Sequence, residues 1–317
     1  MGSLPRVTVL MPMRNPGAFI EAAVGSILSQ RGADLELVVI DDGSTDGSRQ
    51  WLEAQGDARV RIADGPRSGI SACMNLGLSL ARGEVVMRCD SDDVYPPGRV
   101  ASHLAFLDDH PAFVAVCGPF SMTGPDGEHI SSPRIAPTSP REDVAADVLD
   151  SKLRTHLCAY SFRRAVVATI GDFRRFFQTA EDIDFQLRLA AAGPVGFLAD
   201  NAYVYRLHDA SITHSQTSVL RKFFETTAYA MSRERLATGT DALMRGEPIA
   251  LPDVNVDRDR AETAGHHISQ LLVGEAWVRF AAGDRAGARS TAWRAARANP
   301  GHLDAWRSLL LLHIKRG

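Results

Sequence analysis

Residues 85–97 read VVMRCDSDDVYPP, a short apolar run that stops at Asp90-Ser91-Asp92-Asp93 and then meets two prolines. An apolar run this short, bounded this way, has the length of a buried strand, Val85–Cys89, and not of a helix. The same pattern recurs upstream. Leu35–Ile40 runs straight into Asp41-Asp42-Gly43-Ser44, and Val7–Met11 ends at Pro12. Between these runs the spacing turns helical. Pro16–Gln30 puts Phe19, Ala23, Ile27 and Leu28 on one face; Thr45–Ala54 and Ser68–Ala81 are also helical, with a short strand at Val60–Ile62. Strands alternating with helices at this spacing predict an α/β fold, a parallel sheet wrapped by helices. In such sheets ligands bind at the carboxyl ends of the strands. Three of these ends carry polar residues, Arg14/Asn15, Asp41/Asp42 and Asp90–Asp93, and their convergence marks a candidate site.

Downstream, a helix over Tyr95–Asp109 is entered through Pro96-Pro97, and Phe113–Cys117 and Leu157–Phe162 read as strands. Residues 121–140, rich in Gly, Pro and Ser, predict a hairpin followed by a mobile loop. Glu181–Ala192 is a helix closed by Gly193-Pro194; the short strands Val195–Leu198 and Ala202–Tyr205 then lead into Arg206-Leu207-His208. After about residue 215 the character changes. Ser218–Leu236 is amphipathic, Gly239–Asp257 reads as a linker, and alanine- and arginine-rich helices follow from Ala261. Residues 274–306, GEAWVRFAAGDRAGARSTAWRAARANPGHLDAW, have the small-residue and Gly-Asp turn spacing of a tetratricopeptide-like helical pair. The expected division is 1–215, a catalytic α/β domain, and 216–317, a helical C-terminal region.

The 317 residues suffice for one large α/β domain plus an appendage, and 45% hydrophobic with 23% charged content is ordinary for a globular chain. A net charge of −3 gives no global electrostatic case for nucleic acid, so no such partner is expected; local basic stretches leave peripheral membrane contact open. Cys73, Cys89, Cys117 and Cys158 are widely spaced without a CxxC pair, which predicts buried reduced thiols. The apolar run near the N-terminus is too short for a signal peptide, and Pro12 breaks it. No window approaches the roughly 18 apolar residues of a membrane span. The expected location is the cytoplasm, peripheral to the inner face of the membrane at most.

Three carboxylates beside one strand end repel one another unless something neutralises them. A hard divalent cation, Mg²⁺ or Mn²⁺, does so and also favours phosphate oxygens. The plainer role for such acids is helix capping, which Asp93 could serve alone. Asp41 and Asp42 could accept hydrogen bonds from a nucleobase or ribose, with Ser44 capping the helix at Thr45. Glu181-Asp182-Ile183-Asp184 opens a helix, where acids complement the macrodipole. One of the three acids could equally serve as general base to an attacking hydroxyl, and the residues alone do not choose among them. His208 could complete a metal shell or be a structural histidine; His156, His214 and His266-His267 are weaker candidates. Arg67, Arg88 and Arg206 could balance phosphate charge.

Together these stretches resemble the family 2 glycosyltransferases, whose fold is called GT-A, a Rossmann-like nucleotide-diphospho-sugar transferase domain. The matching segments are VTVLMPMRN (7–15), LELVVIDDGSTDGS (35–48), RSGISACMNLGLSLARGEVVMRCDSDDVYPPGR (67–99), FFQTAEDIDFQLRLAAAG (176–193) and YRLH (205–208). Their order fits the family over roughly residues 5–215. The resemblance implies an inverting, single-displacement transfer from a nucleotide diphosphate donor, UDP-linked by analogy, to a glycan, lipid-linked or other hydroxyl acceptor. It implies that Pro12, Arg14 and Asn15 lie beside the nucleotide and that Asp42, with Asp41, meets the base. Asp90, Ser91 and Asp92 form the Asp-x-Asp segment, with Asp92 at the Mn²⁺ or Mg²⁺ and His208 able to join it. Asp182 matches the general base and Glu181 its acceptor-facing neighbour. Two positions depart from the family: Arg14 stands where tyrosine is common, and Met74 stands before Asn75 where arginine is common. Arg67 and Arg88 are then the candidates for phosphate contact. Surface-glycan assembly is the role common among bacterial relatives, and the helical tail could mediate a homo-oligomer. Two rival readings stand beside this one. A haloacid-dehalogenase-type phosphatase would use Asp90-x-Asp92 as its nucleophile motif, and an inactive glycosyltransferase-like scaffold would act through the tail.

Overall fold

The computed structural model describes residues 4–137, 142–209, 211, 218–253 and 263–315. The apolar runs do form strands: β1 (Val7–Met13), β2 (Leu35–Asp41), β3 (Val60–Asp64), β4 (Val85–Arg88) and β5 (Ala115–Cys117). Five more follow, β6 (Phe120–Thr123), β7 (His129–Ser131), β8 (Tyr160–Arg163), β9 (Val195–Phe197) and β10 (Tyr203–Arg206). Among the described residues, one sheet runs in the order β3-β2-β1-β4-β8-β5-β9. Its first four strands are parallel, as the alternation predicts, with Val7 opposite Leu35 on one side and Val85 on the other. Every residue of β1 and β2 is buried, the mark of strands covered on both faces. The departure is β8, which runs antiparallel between β4 and β5, so the sheet is mixed.

Local chemistry shifts several boundaries. The helix expected from Tyr95 begins at Arg99, because Pro96 and Pro97 hold an extended entry and Gly98, at φ 80°, makes the turn. Leu157–Ala159 is a 3₁₀ turn rather than strand. Ser44 does not cap the next helix, which starts at Ser48; its Oγ accepts instead from Asn15 N–H at 3.1 Å, while Asp46 accepts from Ser48 N–H at 3.0 Å. The helix over Glu181–Ala192 falls where the sequence predicts. The four cysteines are buried free thiols.

The chain forms two compact units. The first comprises Met1–Phe120, Arg134–Val204 and Lys222–Leu251, and the second Ser121–Pro133, Tyr205–Arg221 and Pro252–Gly317. The boundary expected after residue 215 falls within 212–217, outside the described residues, as does His214; so do 138–141 of the expected mobile loop, 254–257 of the expected linker, and Ala261, where the tail helices are expected to begin. In the first unit, Phe185 stacks on Phe173 at 4.2 Å and tilts against Phe162 at 5.2 Å, seating the helix Glu181–Ala192 on the sheet. The other side of that helix meets a buried ionic cluster. Asp184 takes Arg188 at 2.9 Å, with Arg174 and Arg235 at 3.8 and 3.7 Å; both of those arginines also hold Asp241, at 2.6 and 2.5 Å. The stretch expected as a linker is therefore anchored at Asp241, which is fully buried.

Among the described residues a second sheet runs in the order β10-β6-β7, and its residues Ser121–Thr123, His129–Ser131 and Tyr205–Arg206 belong to the second unit. Three helices, Ala264–Ala281, Arg285–Ala298 and Leu303–Ile314, pack through Ala276, Ala288, Ala292 and Leu312. The turn between the first two is made by Gly283, at φ 86°, and Asp284, whose carboxylate caps Gly287 N–H at 2.8 Å. Among the described residues no helix is long and apolar enough to cross a membrane.

Asp241→Ala removes the anion that Arg174 and Arg235 share and leaves two largely buried guanidinium groups under-compensated. Denaturant unfolding should show a loss of about 3–5 kcal/mol; a change under about 1 kcal/mol would mean that the cluster does not tie the helix to the Lys222–Leu251 segment.

Candidate active site

The strand order reverses at β1, which has β2 on one side and β4 on the other; such a switch point opens a crevice at the carboxyl edge. The register shows how. β1 pairs with β2 as far as Met13 opposite Asp41, but its pairing with β4 ends at Leu10 opposite Arg88. Past Leu10, β1 and β4 diverge, and the polar residues of the three strand ends occupy the loops there.

Two of these loops are stitched together. Asn15, at φ 50°, accepts Thr45 N–H on Oδ1 at 2.7 Å and donates its own N–H to Ser44. Asp41 is buried; one oxygen accepts Ser44 N–H at 2.8 Å and the other faces Arg49 at 3.4 Å. Asp42, half-buried, accepts Arg67 N–H at 2.6 Å. Arg67 is exposed at φ 52° and its side chain lies over Gly43, where a Cβ would sit 3.1 Å from Nε. Pro12 is buried within β1, and Arg14 is exposed just beyond it.

The third loop divides its acids by role. Asp93 is 1% exposed and accepts the Tyr203 hydroxyl at 2.6 Å; that same oxygen accepts Asp90 N–H at 3.1 Å. Asp93 is thus the anchor of the loop. Asp90 pairs with Arg88 at 2.7 Å, Ser91 is buried, and Asp92 is half-buried. Arg88 also reaches Glu181 at 3.2 Å. Its charge is engaged internally, by two carboxylates, rather than left for a phosphate. Burial works against that charge, but Asp90 and Glu181 outweigh it and hold the guanidinium's pKa well above its ordinary value.

Glu181 and Asp182 open the helix Glu181–Ala192, preceded by Ala180 at φ 61°. Burial, reinforced by neighbouring Asp182, pushes the Glu181 carboxyl up to about 7, with Arg88 pulling the other way. Asp182 is half-buried, accepts Ile183 N–H at 2.9 Å, and lines a cavity of about 270 Å³ in the first unit. His156, ranked low in the sequence, lines the same cavity edge-on to Phe120 at 4.6 Å; burial lowers its pKa. Gln186 and Tyr229 also line it, and neither carried a motif. Asn75 lies elsewhere in use: both ends of its amide bond the backbone of Phe173, at 2.9 and 2.8 Å. His208 and Arg206 are buried and belong to the second unit.

The family model described as Glycosyl transferase family 2 matches residues 8–169, which is half of the chain and includes all three strand ends. The chain belongs to that family. Among its relatives is the chondroitin synthase of Pasteurella multocida (strain Pm70), 29% identical over 242 residues. The match takes in 74% of this chain but 24% of that protein, so the chain spans about a quarter of that relative's length. The fold is that of the GT-A glycosyltransferases. Staphylococcus aureus TarS 1–349, solved with UDP-GlcNAc, superposes at TM-score 0.56 and 17% identity, over 97% of this chain and 72% of the other. The mannosyltransferase PcManGT from Pyrobaculum calidifontis, solved with GDP-Man and Mn²⁺, gives 0.50 and 21%, over 97% and 79%. Family membership sets aside the phosphatase reading of Asp90-x-Asp92.

Among the described residues no group of three or more His, Cys, Asp or Glu could hold a metal ion by itself. The site does fit a different arrangement. Asp92, half-buried, carries a hard oxygen donor of the kind Mg²⁺ or Mn²⁺ would take together with a diphosphate and water.

The raised Glu181 pKa has a direct consequence for stability. Folding takes up a proton at Glu181 between its ordinary value near 4.5 and about 7, so wild-type stability falls as pH rises through that window. Glu181→Gln does not titrate there. Its stability relative to wild type should rise from pH 4.5 to pH 8, by about 2–3 kcal/mol in denaturant unfolding; a flat difference would show that Glu181 is already ionised in the folded protein.

Proposed function

We propose that this chain transfers a sugar from a nucleotide diphosphate donor, most simply a UDP-sugar, to a hydroxyl of a glycan or lipid-linked acceptor in one inverting displacement. The observation that carries the reading is Arg88, which bonds the donor-loop acid Asp90 and the helix acid Glu181 at once. The segment suited to the donor and the segment suited to the base are thereby fixed to each other. The UDP-GlcNAc and GDP-Man complexes of the structural neighbours support a nucleotide-sugar donor.

In this reading Asn15, Asp41, Asp42 and Arg67 frame the nucleoside, with Pro12 and Arg14 at the adjoining end of β1. Asp90 and Ser91 lie toward the ribose, and Asp92 would hold the divalent cation. When bound, that cation offsets the charge that builds on the departing diphosphate. Glu181, buried, keeps its proton up to about pH 7. Asp182, half-buried on the cavity wall, is the carboxylate that takes the acceptor proton as its oxygen attacks the anomeric carbon. We take the catalytic part to extend beyond residue 215 to include Lys222–Leu251, which groups with the first unit. We read the helices Ala264–Ala281 and Arg285–Ala298 as tetratricopeptide-like, serving assembly or peripheral membrane contact in the cytoplasm.

Calorimetric titration with UDP, GDP and dTDP, each with Mn²⁺ and with EDTA, tests the donor side. One nucleotide, UDP, should bind in a Mn²⁺-dependent way, and Asp92→Ala should weaken it at least about tenfold, the scale of losing one charge-assisted ligand. Absence of binding under either condition would return the inactive scaffold to the fore. For the base, Asp182→Asn should lower transfer by about 10²–10⁴-fold with nucleotide affinity unchanged. A parallel loss of donor affinity would make Asp182 a binding residue instead.

A further inference from the structure

None of the donor contacts proposed above accounts for the cavity beside Asp182. It holds about 270 Å³, just under the roughly 300–1,000 Å³ of pockets for drug-sized ligands. That is room for a single sugar ring and not for a chain of them. Its wall is divided by chemistry: Phe120, Ile183, Leu187 and the Tyr229 ring are apolar, whereas Thr155, His156 and Gln186 are polar.

Gln186 is the unusual member. It sits one turn along the helix from Asp182 and is 6% exposed, yet its Nε2 has no hydrogen-bond partner in the structure. A buried amide donor left unpaired is destabilising, and such groups in native structures call for an explanation. Nearby polar groups are engaged: Thr155 donates its hydroxyl proton to Gly118 O at 2.8 Å, leaving only acceptor capacity. The terminal torsion of glutamine is soft, so its amide can turn toward a ligand on this wall.

The charges select among ligands. Asp182 contributes a carboxylate. Arg154, the cation at the cavity, is paired with Glu225 on its other side, and burial keeps His156 neutral. An anionic group placed here would face Asp182 with no uncompensated cation to offset it. We propose that this cavity is the acceptor pocket, that it takes one neutral pyranose ring, and that Gln186 recognises a ring oxygen or hydroxyl there. The ring's C–H face lies on the apolar wall, and a hydroxyl on its edge is presented to Asp182. This inference rests on the transferase reading above.

Saturation-transfer NMR on the full chain tests it, with and without UDP and Mn²⁺, using methyl glucoside, methyl galactoside and methyl N-acetylglucosaminide against methyl glucuronide and glucose 6-phosphate. At least one neutral glycoside should bind in preference to both anionic ones, and Gln186→Leu should weaken it about tenfold while UDP affinity holds. Retained UDP binding also shows that the variant is folded; should it fail to fold, Tyr229→Ala is read in the same way. Binding of the anionic sugars in preference, no glycoside binding in a protein that binds UDP, or glycoside binding indifferent to both substitutions overturns the proposal. Loss of UDP binding alone, with glycoside binding intact, strikes the donor reading and leaves the pocket standing.

Discussion

A buried guanidinium held between Asp90 and Glu181 is the constraint on which the architecture of the candidate site depends. Arg88 ends β4, and from there it must find a compensating anion within reach, because an uncompensated charge in that position would be prohibitive. It finds that anion in Asp90, two residues on, and a hydrogen-bond acceptor in the Glu181 carboxyl across the fold. The pairing fixes the distance between two segments that the chain supplies far apart in sequence. It also divides the acids by state. Asp90 is neutralised by its pair, Glu181 is buried enough to hold a proton near neutrality, and Asp182 is the acid left at the cavity.

The same helix is restrained from its other side by charges of opposite arrangement, two aspartates among three arginines. In general, apolar residues in place of such a cluster are often no worse for stability, since desolvation of buried ions offsets much of their attraction. What the cluster does provide is direction: a guanidinium fork accepts few geometries, so Asp184 and Asp241 fix the rotation of the helix about its own axis. With Phe173 and Phe185 stacked on the sheet side, the first turn of that helix has little freedom to move.

The legible part of this protein was its strands and strand ends. β1, β2 and β4 are buried on both faces, so they appear in the sequence as unbroken apolar runs, and the acids that end them stand out by contrast. The helix Glu181–Ala192 was legible for its acidic first turn and Gly193-Pro194 stop. Long-range partners were not. Asn75 looks like a polar residue on a site-facing helix, but its amide closes a backbone pair with Phe173, 98 residues away. Arg88 looks like a phosphate ligand until Glu181 is seen beside it. Tyr203 marks Asp93 as an anchor, and no spacing rule connects residues 110 positions apart. The cavity is likewise assembled from side chains scattered between Phe120 and Tyr229, so Gln186 and His156 carry no local signature. The direction of β8 was also hidden, because an apolar strand reads the same in either direction.

The Tyr203 hydroxyl has one proton, and the structure gives it to Asp93; its lone pair receives Asp90 N–H. The two bonds are therefore not independent. If the hydroxyl rotates away from Asp93, the lone pair directed at Asp90 rotates with it. Bonds in series through one oxygen polarise each other and are lost together. Losing the Tyr203–Asp93 bond would therefore also weaken the hold on Asp90, at the other end of the same loop.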